Sequence, residues 1–148
     1  MPEVIIVNNE DEAGELYAKC VADLIRNKPN AVLGLATGSS PLAAYKQLAK
    51  KVKEEHIDVS QVRGFALDEY IGLPLTHPES YHSTIHRTVV EPLGLNPDAV
   101  HVPGDVLDGA PLEDGDLIRN AGPDYDAAIE AAGGIDVQIL GIGTDGHV

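Results

Sequence analysis

Apolar positions along the chain alternate between short continuous runs and runs spaced three and four residues apart. Val4–Val7 is a β-branched run and reads as a strand. Asn9 then stands three residues before Glu12, the arrangement of an N-terminal helix cap. Leu16, Cys20 and Leu24 follow at i, i+4 and i+8, with Ala13 one turn earlier. That spacing predicts a helix burying those four residues, with Cys20 as inert core. Asn27 to Asn30, with Pro29, ends it. Ala31–Ala36 (AVLGLA) is apolar throughout, which suits a strand covered on both faces, as in a parallel sheet. Ser40 and Pro41 read as the cap and first position of a second helix, whose buried stripe is Leu42, Tyr45, Leu48, Ala49 and Val52.

The alternation continues. Val62–Leu67 (VRGFAL) is a third strand, Ser80–Val90 a helix that stops before Pro92, and Val100–Val102 a short strand. Residues 103–118 are acidic and turn-rich and read as an excursion rather than an element. Tyr125, Ile129 and Ala132 mark another helix, closed by Gly133 and Gly134; Asp136–Leu140 is a last strand. Strands separated by helices, with no repeat and no flexible linker, indicate one α/β domain over residues 1–148. Its sheet is doubly wound and mostly parallel, Rossmann-like. In such sheets ligands bind beyond the carboxyl ends of the strands.

Composition narrows the class. A chain of 148 residues that is 43% hydrophobic can bury a sizeable core. It holds 10 Lys plus Arg against 24 Asp plus Glu, a net charge of -14, which argues against nucleic acid or an anionic membrane surface as partner. Eight of the ten basic residues lie at or before Arg63; only Arg87 and Arg119 follow. No run approaches the roughly 18 apolar residues of a membrane span, and no secretory leader opens the sequence. The single cysteine cannot form an internal disulfide, so a reducing, cytoplasmic setting is expected.

Three loops follow strand carboxyl ends. Thr37-Gly38-Ser39-Ser40 offers three hydroxyls, a flexible glycine and the free N–H groups of a helix start: a phosphate site without a lysine, or an ordinary capped turn. It is not a P-loop, because the GK[ST] ending is absent. Asp68 and Glu69 follow VRGFAL, where partial desolvation raises a carboxylate's pKa and suits a general base for a carbon acid; a solvated or helix-capping acid is the alternative. Gly141–His147 (GIGTDGH) satisfies G-x-G-x-x-G, but it follows a late strand, so a nicotinamide site is disfavoured. Asp145 two residues before His147 is more informative, since a carboxylate-held histidine can shuttle protons near neutral pH; a structural or merely exposed histidine is the alternative. His82 and His86 stand i, i+4, as zinc ligands can, with His77 nearby, but no Glu follows His82 and no metal is expected. His56 and His101 show no partner pattern, and Tyr81 and Tyr125 read as packing residues.

Taken together, LGLATGSSP (Leu33–Pro41), LDEYIGL (Leu67–Leu73), HPESYHS (His77–Ser83) and GIGTDGH (Gly141–His147) resemble the glucosamine-6-phosphate deaminase family, in its order and spacing and over essentially the whole chain. The related 6-phosphogluconolactonases share the fold but typically carry Asp-Glu-Arg at the second loop. Tyr70 in the third position favours the deaminases.

The resemblance implies conversion of glucosamine 6-phosphate and water to fructose 6-phosphate and ammonia, in amino-sugar (N-acetylglucosamine) catabolism, with no metal or organic cofactor. By that resemblance Asp68 moves a proton between C2 and C1, His147 opens the pyranose ring, and Asp145 orients and tunes the imidazole. Thr37, Gly38, Ser39 and Ser40 would hold the phosphate. In the family the histidine loop continues to a glutamate of the same proton relay, and later basic residues clamp the phosphate. Neither is present by Val148, so the chain is expected to be the N-terminal part of a deaminase, with the C-terminal part of the domain missing. Homo-oligomerisation of the full-length form stays open. The rivals are a lactonase of the same fold and a sugar-phosphate sensor, which would keep the Thr37–Ser40 loop but could dispense with Asp68 and His147.

Overall fold

The computed structural model describes residues 1–105 and 115–148. In chain order the elements are α1 (Glu10–Asn27), β1 (Val32–Leu35), α2 (Leu42–Glu54), β2 (Arg63–Ala66), α3 (Tyr81–Ile85), a π-helical turn (His86–Val90), α4 (Glu91–Leu93), β3 (Val100–His101), α5 (Gly115–Ala131) and β4 (Val137–Gln138). The strands form one sheet in the order β3-β2-β1-β4, and every pairing is parallel. This is the expected α/β fold.

The sheet is covered on both faces. Leu33 and Leu35 of β1 and Ala66 of β2 join a core built with α1, α2 and the Tyr81–Leu93 segment. Phe65, pointing the other way, meets the ring of Tyr125 on α5 edge-on at 5.5 Å. All four residues of β1 are buried, as an unbroken apolar run requires of a central parallel strand.

Several local expectations are corrected. Helix α1 is capped as expected, with Asn9 accepting the Glu12 N–H at 2.9 Å. It buries another face, however: Gly14, Ala18, Val21, Ala22 and Ile25. Cys20 is exposed, as are Ala13 and Leu16, and Leu24 is half-buried. The reason is α2. A Cβ on Gly14 would stand 2.7 Å from the Ala43 carbonyl oxygen, so α2 approaches the small-residue stripe more closely than leucines would permit. On α2, Tyr45, Leu48 and Val52 are buried, Ala49 is half-buried and Leu42 is exposed.

Val4–Val7 forms no strand with any described residue; Val4 and Ile6 are exposed, and Ile5 and Val7 line a groove with Leu16 beside α1 and α2. The Ser80 helix does not stop at Pro92. A π-helical turn shifts the bonding to i−5, and the helix runs on to Leu93, with Gly94 closing it at φ 73°. Helix α5 begins at Gly115, inside the supposed excursion, while residues 106–114 of that excursion lie outside those described. The final strand is only Val137–Gln138.

Asp136 fixes that strand. Its N–H donates to the Val32 carbonyl at 2.9 Å, its carboxylate accepts the Val32 N–H at 2.8 Å, and Lys28 pairs with it at 2.8 Å. These bonds hold its carboxyl well below the usual aspartate value, the Lys28 contact first. The clamp sets β4 beside β1 although more than a hundred residues separate them.

Candidate functional site

The strand order places the site. From β1 the chain steps one way to β2 and β3, then crosses back to lay β4 on the other side of β1. The carboxyl ends of β1 and β4 therefore flank the point where winding reverses, the usual ligand crevice of an open α/β sheet. Thr37–Ser40 leaves one of these ends and Gly141–His147 the other, with Asp68 on the adjoining β2 end. Three loops distant in sequence become neighbours.

Two tyrosines hold the strand ends. The buried Tyr45 hydroxyl donates to the Ala36 carbonyl at 2.6 Å and accepts the Ala36 N–H at 2.9 Å, immediately before Thr37. The Tyr125 hydroxyl donates to the Ala66 carbonyl at 2.6 Å, two residues before Asp68, and lies 3.0 Å from the His101 carbonyl. Sequence reasoning assigned both to packing. The available signal was that a phenol on an apolar face must find a polar partner.

Ser40 does not cap α2. Its hydroxyl donates to the Ile142 carbonyl at 3.3 Å, and Pro41 occupies the cap position with no side-chain bond. The first loop is thereby tied to the third. Gly141 makes this possible, because a Cβ there would approach the Ser40 Cβ to 3.1 Å.

The adjacent acids separate cleanly. Glu69 accepts the N–H groups of Tyr70 at 2.8 Å, Tyr81 at 2.9 Å and His82 at 2.8 Å, capping the start of α3. Asp68 faces solvent. Partial burial at the strand end, reinforced by the Glu69 charge, raises its pKa above the ordinary aspartate value, and His147 pulls weakly the other way. Asp145 reaches His147 through the main chain, accepting its N–H at 3.0 Å, and the turn is closed by the Gly143 N–H donating to the His147 carbonyl at 2.7 Å. The carboxylate therefore shapes the loop that presents the imidazole.

His82 and His86 stack at 4.3 Å, and burial with the His82 charge lowers the pKa of His86. Among the described residues no group of three or more His, Cys, Asp or Glu side chains is placed to hold a metal. His101, without a partner pattern in the sequence, contacts Asp105 at 2.7 Å. Among the described residues no helix is long and apolar enough to cross a membrane.

A parallel α/β sheet with three loops gathered at the carboxyl ends of its strands belongs to the class of doubly wound folds that take their ligand at that edge. The chain belongs to the glucosamine-6-phosphate isomerase/6-phosphogluconolactonase family, whose sequence profile matches residues 8–148. It is 82% identical over 148 residues to a glucosamine-6-phosphate deaminase of Bifidobacterium longum strain DJO10A, covering all of this chain and 55% of that protein. It is 48% identical over 146 residues to the Streptomyces coelicolor glucosamine-6-phosphate deaminase, of which it covers 53%. The chain thus spans about half the length of the curated relatives it matches. Among solved structures, a monomeric glucosamine-6-phosphate deaminase superposes with a TM-score of 0.85 at 31% identity, over 99% of this chain and 57% of that one. The Thermotoga maritima 6-phosphogluconolactonase follows at 0.71 and 24% identity, over 99% of this chain and 61% of that one, a likeness of fold alone.

Proposed function

We propose that this chain supplies the base, the ring-opening histidine and the phosphate loop of a glucosamine-6-phosphate deaminase. The observation that carries the reading is the separation of the two acids. Glu69 is consumed by three main-chain N–H groups, leaving Asp68 as a solvent-facing carboxylate of raised pKa at the carboxyl end of β2.

The phosphate lies against Thr37, Gly38, Ser39 and Ser40, held by neutral donors. This anchors one end of the sugar and sets C1 and C2 between Asp68 and His147. His147, presented by the Asp145-braced turn, takes the proton of the C1 hydroxyl and delivers one to the ring oxygen as the C1–ring-oxygen bond breaks and C1 becomes the open-chain carbonyl. That carbonyl acidifies C2–H. Asp68 takes the C2 proton and returns it to C1, while a proton from the C2 amino group passes to the carbonyl oxygen, so that C1 becomes a CH2OH group and C2 carries a C=N bond. Water adds there, ammonia departs, and fructose 6-phosphate remains. A carboxylate of ordinary pKa is a weak base for this step, and raising the pKa strengthens it.

The test is to assay the complete gene product for ammonia release from glucosamine 6-phosphate and, in parallel, for hydrolysis of 6-phosphogluconolactone. Ammonia release is expected. Lactone hydrolysis without it would transfer the protein to the other branch of the family.

A further inference from the structure

The loop that carries His147 is a closed turn on a short connector. Just past β4, the Ile139 N–H donates to the Gly34 carbonyl of β1 at 3.2 Å. From Gly143 onward the loop is bonded to itself. Gly143 donates to the His147 carbonyl at 2.7 Å, Gly146 donates to the Gly143 carbonyl at 2.9 Å, and the Asp145 carboxylate accepts the His147 N–H at 3.0 Å. Residues 140–142 join these two fixed parts. Leu140 and Ile142 are 56% and 68% exposed, so packing does little to hold them. Among the described residues, the polar contact that braces this connector is the Ser40 hydroxyl donating to the Ile142 carbonyl at 3.3 Å. Gly141 lies against the same serine, where a Cβ would stand 3.1 Å from the Ser40 Cβ.

The Ser40 hydroxyl has one proton to donate. At 3.3 Å its bond to Ile142 is long, since hydroxyl bonds usually measure about 2.8 Å. A phosphate dianion carries acceptors alone, and a hydroxyl bond to an anion is shorter and roughly twice as strong as one to a neutral carbonyl. Ile142 is exposed, so water takes up the carbonyl that Ser40 gives up, and the exchange costs little. The root of the first loop stays in place, because Tyr45 holds both main-chain groups of Ala36 at 2.6 and 2.9 Å. The part released is therefore the third loop.

We propose that Ser40 is a positioning residue that latches the histidine loop until a phosphate group is seated. Its hydroxyl then passes from Ile142 to the anion, and the Gly143–His147 turn is freed to follow the sugar. The proposal rests on the reading of Thr37–Ser40 as the phosphate loop, and not on the chemistry assigned to Asp68 and His147.

Nitrogen-15 relaxation of the complete gene product reads the connector directly, with inorganic phosphate as the probe and calorimetry reporting its binding. Without phosphate, the wild-type amides of Ile142 and Gly143 should show order parameters near about 0.85, and saturating phosphate should lower them toward about 0.6. Ser40→Ala should show the lower values without phosphate and no further change with it, while the amides of β1 keep their wild-type values. A purely structural serine would give no phosphate response in wild type. Order parameters that stay level or rise in wild type that binds phosphate would overturn the latch, and that arm needs no variant. So would a rigid connector in phosphate-free Ser40→Ala, or one that still responds to phosphate. A wild type that binds no phosphate overturns the reading of the first loop, and the latch falls with it.

Discussion

Asp68 and Glu69 are neighbours of like charge, and the structure assigns them opposite consequences on substitution. Asp68→Asn removes a partly desolvated carboxylate that sits beside another and, among the described residues, accepts no main-chain bond of the kind that occupies Glu69. Because its folded pKa is raised, its ionised form destabilises the fold above that pKa, and the amide should leave the melting temperature unchanged or slightly higher. Turnover should fall by at least about a hundredfold, the scale of a lost general base. Glu69→Gln does the reverse. One carboxylate oxygen serves Tyr70 and Tyr81 and the other serves His82, so the amide keeps one acceptor and turns an NH2 group toward a donor. Losing a charge-assisted cap and opposing two donors costs about 2 kcal/mol, or roughly 4–8 °C of melting temperature for a domain of this size. The assay pairs calorimetric melting with ammonia release from the complete gene product. In wild type the acid limb of kcat/KM should lie above the ordinary aspartate value, since activity is lost as pH falls through the raised pKa of Asp68, and Asp68→Asn should abolish that limb. Near-normal turnover by Asp68→Asn, or a Glu69→Gln protein as stable as wild type, would refute the division of labour.

Three further outcomes are expected. Tyr45→Phe strips both partners from the buried main chain of Ala36, costing about 2–4 kcal/mol in denaturant unfolding and raising KM for the sugar phosphate through a loosened Thr37. Gly38→Val should weaken sugar-phosphate binding in calorimetry more than binding of the unphosphorylated sugar, because Gly38 holds φ 99°, where a β-branched residue is strained, whereas Ser40→Ala should also loosen the third loop by releasing Ile142; equal losses for both ligands would make the loop purely structural. Asp136→Asn should destabilise the protein at neutral pH by about 1–2 kcal/mol and flatten its acid denaturation. The sign follows from the depressed folded pKa: the stabilisation is present above the unfolded value and is lost as pH falls through the folded one.

The sheet and the loops at its strand ends were legible because their signals are strong and local. AVLGLA is apolar without interruption, which only a strand buried on two faces tolerates, and turn residues mark each carboxyl end. What was illegible depended on partners distant in sequence. Helix α1 carries two stripes at helical spacing, and only the close approach of α2 at Gly14 decides that the small-residue stripe is buried and Cys20 is not. Ser40 before Pro41 is a good local cap, yet its hydroxyl is captured by Ile142, a hundred residues on. Pro92 reads as a stop until a π-helical turn accommodates it. Asp68 and Glu69 could not be told apart by spacing, because what distinguishes them is the reach of Glu69 to Tyr81 and His82.

The bonds that assemble the candidate site share a feature with consequences for how the family varies. Tyr45 to Ala36, Tyr125 to Ala66, Asp136 to Val32, Ser40 to Ile142 and Glu69 to Tyr81 and His82 all run from a side chain to main chain. A main-chain acceptor or donor is present whatever side chain the loop displays, so these bonds hold the strand ends without dictating the residues presented there. Helix α5 illustrates the economy of the arrangement: it carries the chain back across the sheet toward the β1 edge, and its Tyr125 fixes the β2 end on the way. Substitution at an exposed position such as Tyr70 therefore changes what the crevice presents while the scaffold stays in place, which fits a fold shared with a lactonase at only 24% identity. The same logic bears on the proposed anion site in a chain of net charge -14: the Thr37–Ser40 loop offers hydroxyls and main-chain N–H groups, and these are positioned by bonds that owe nothing to the surrounding surface charge.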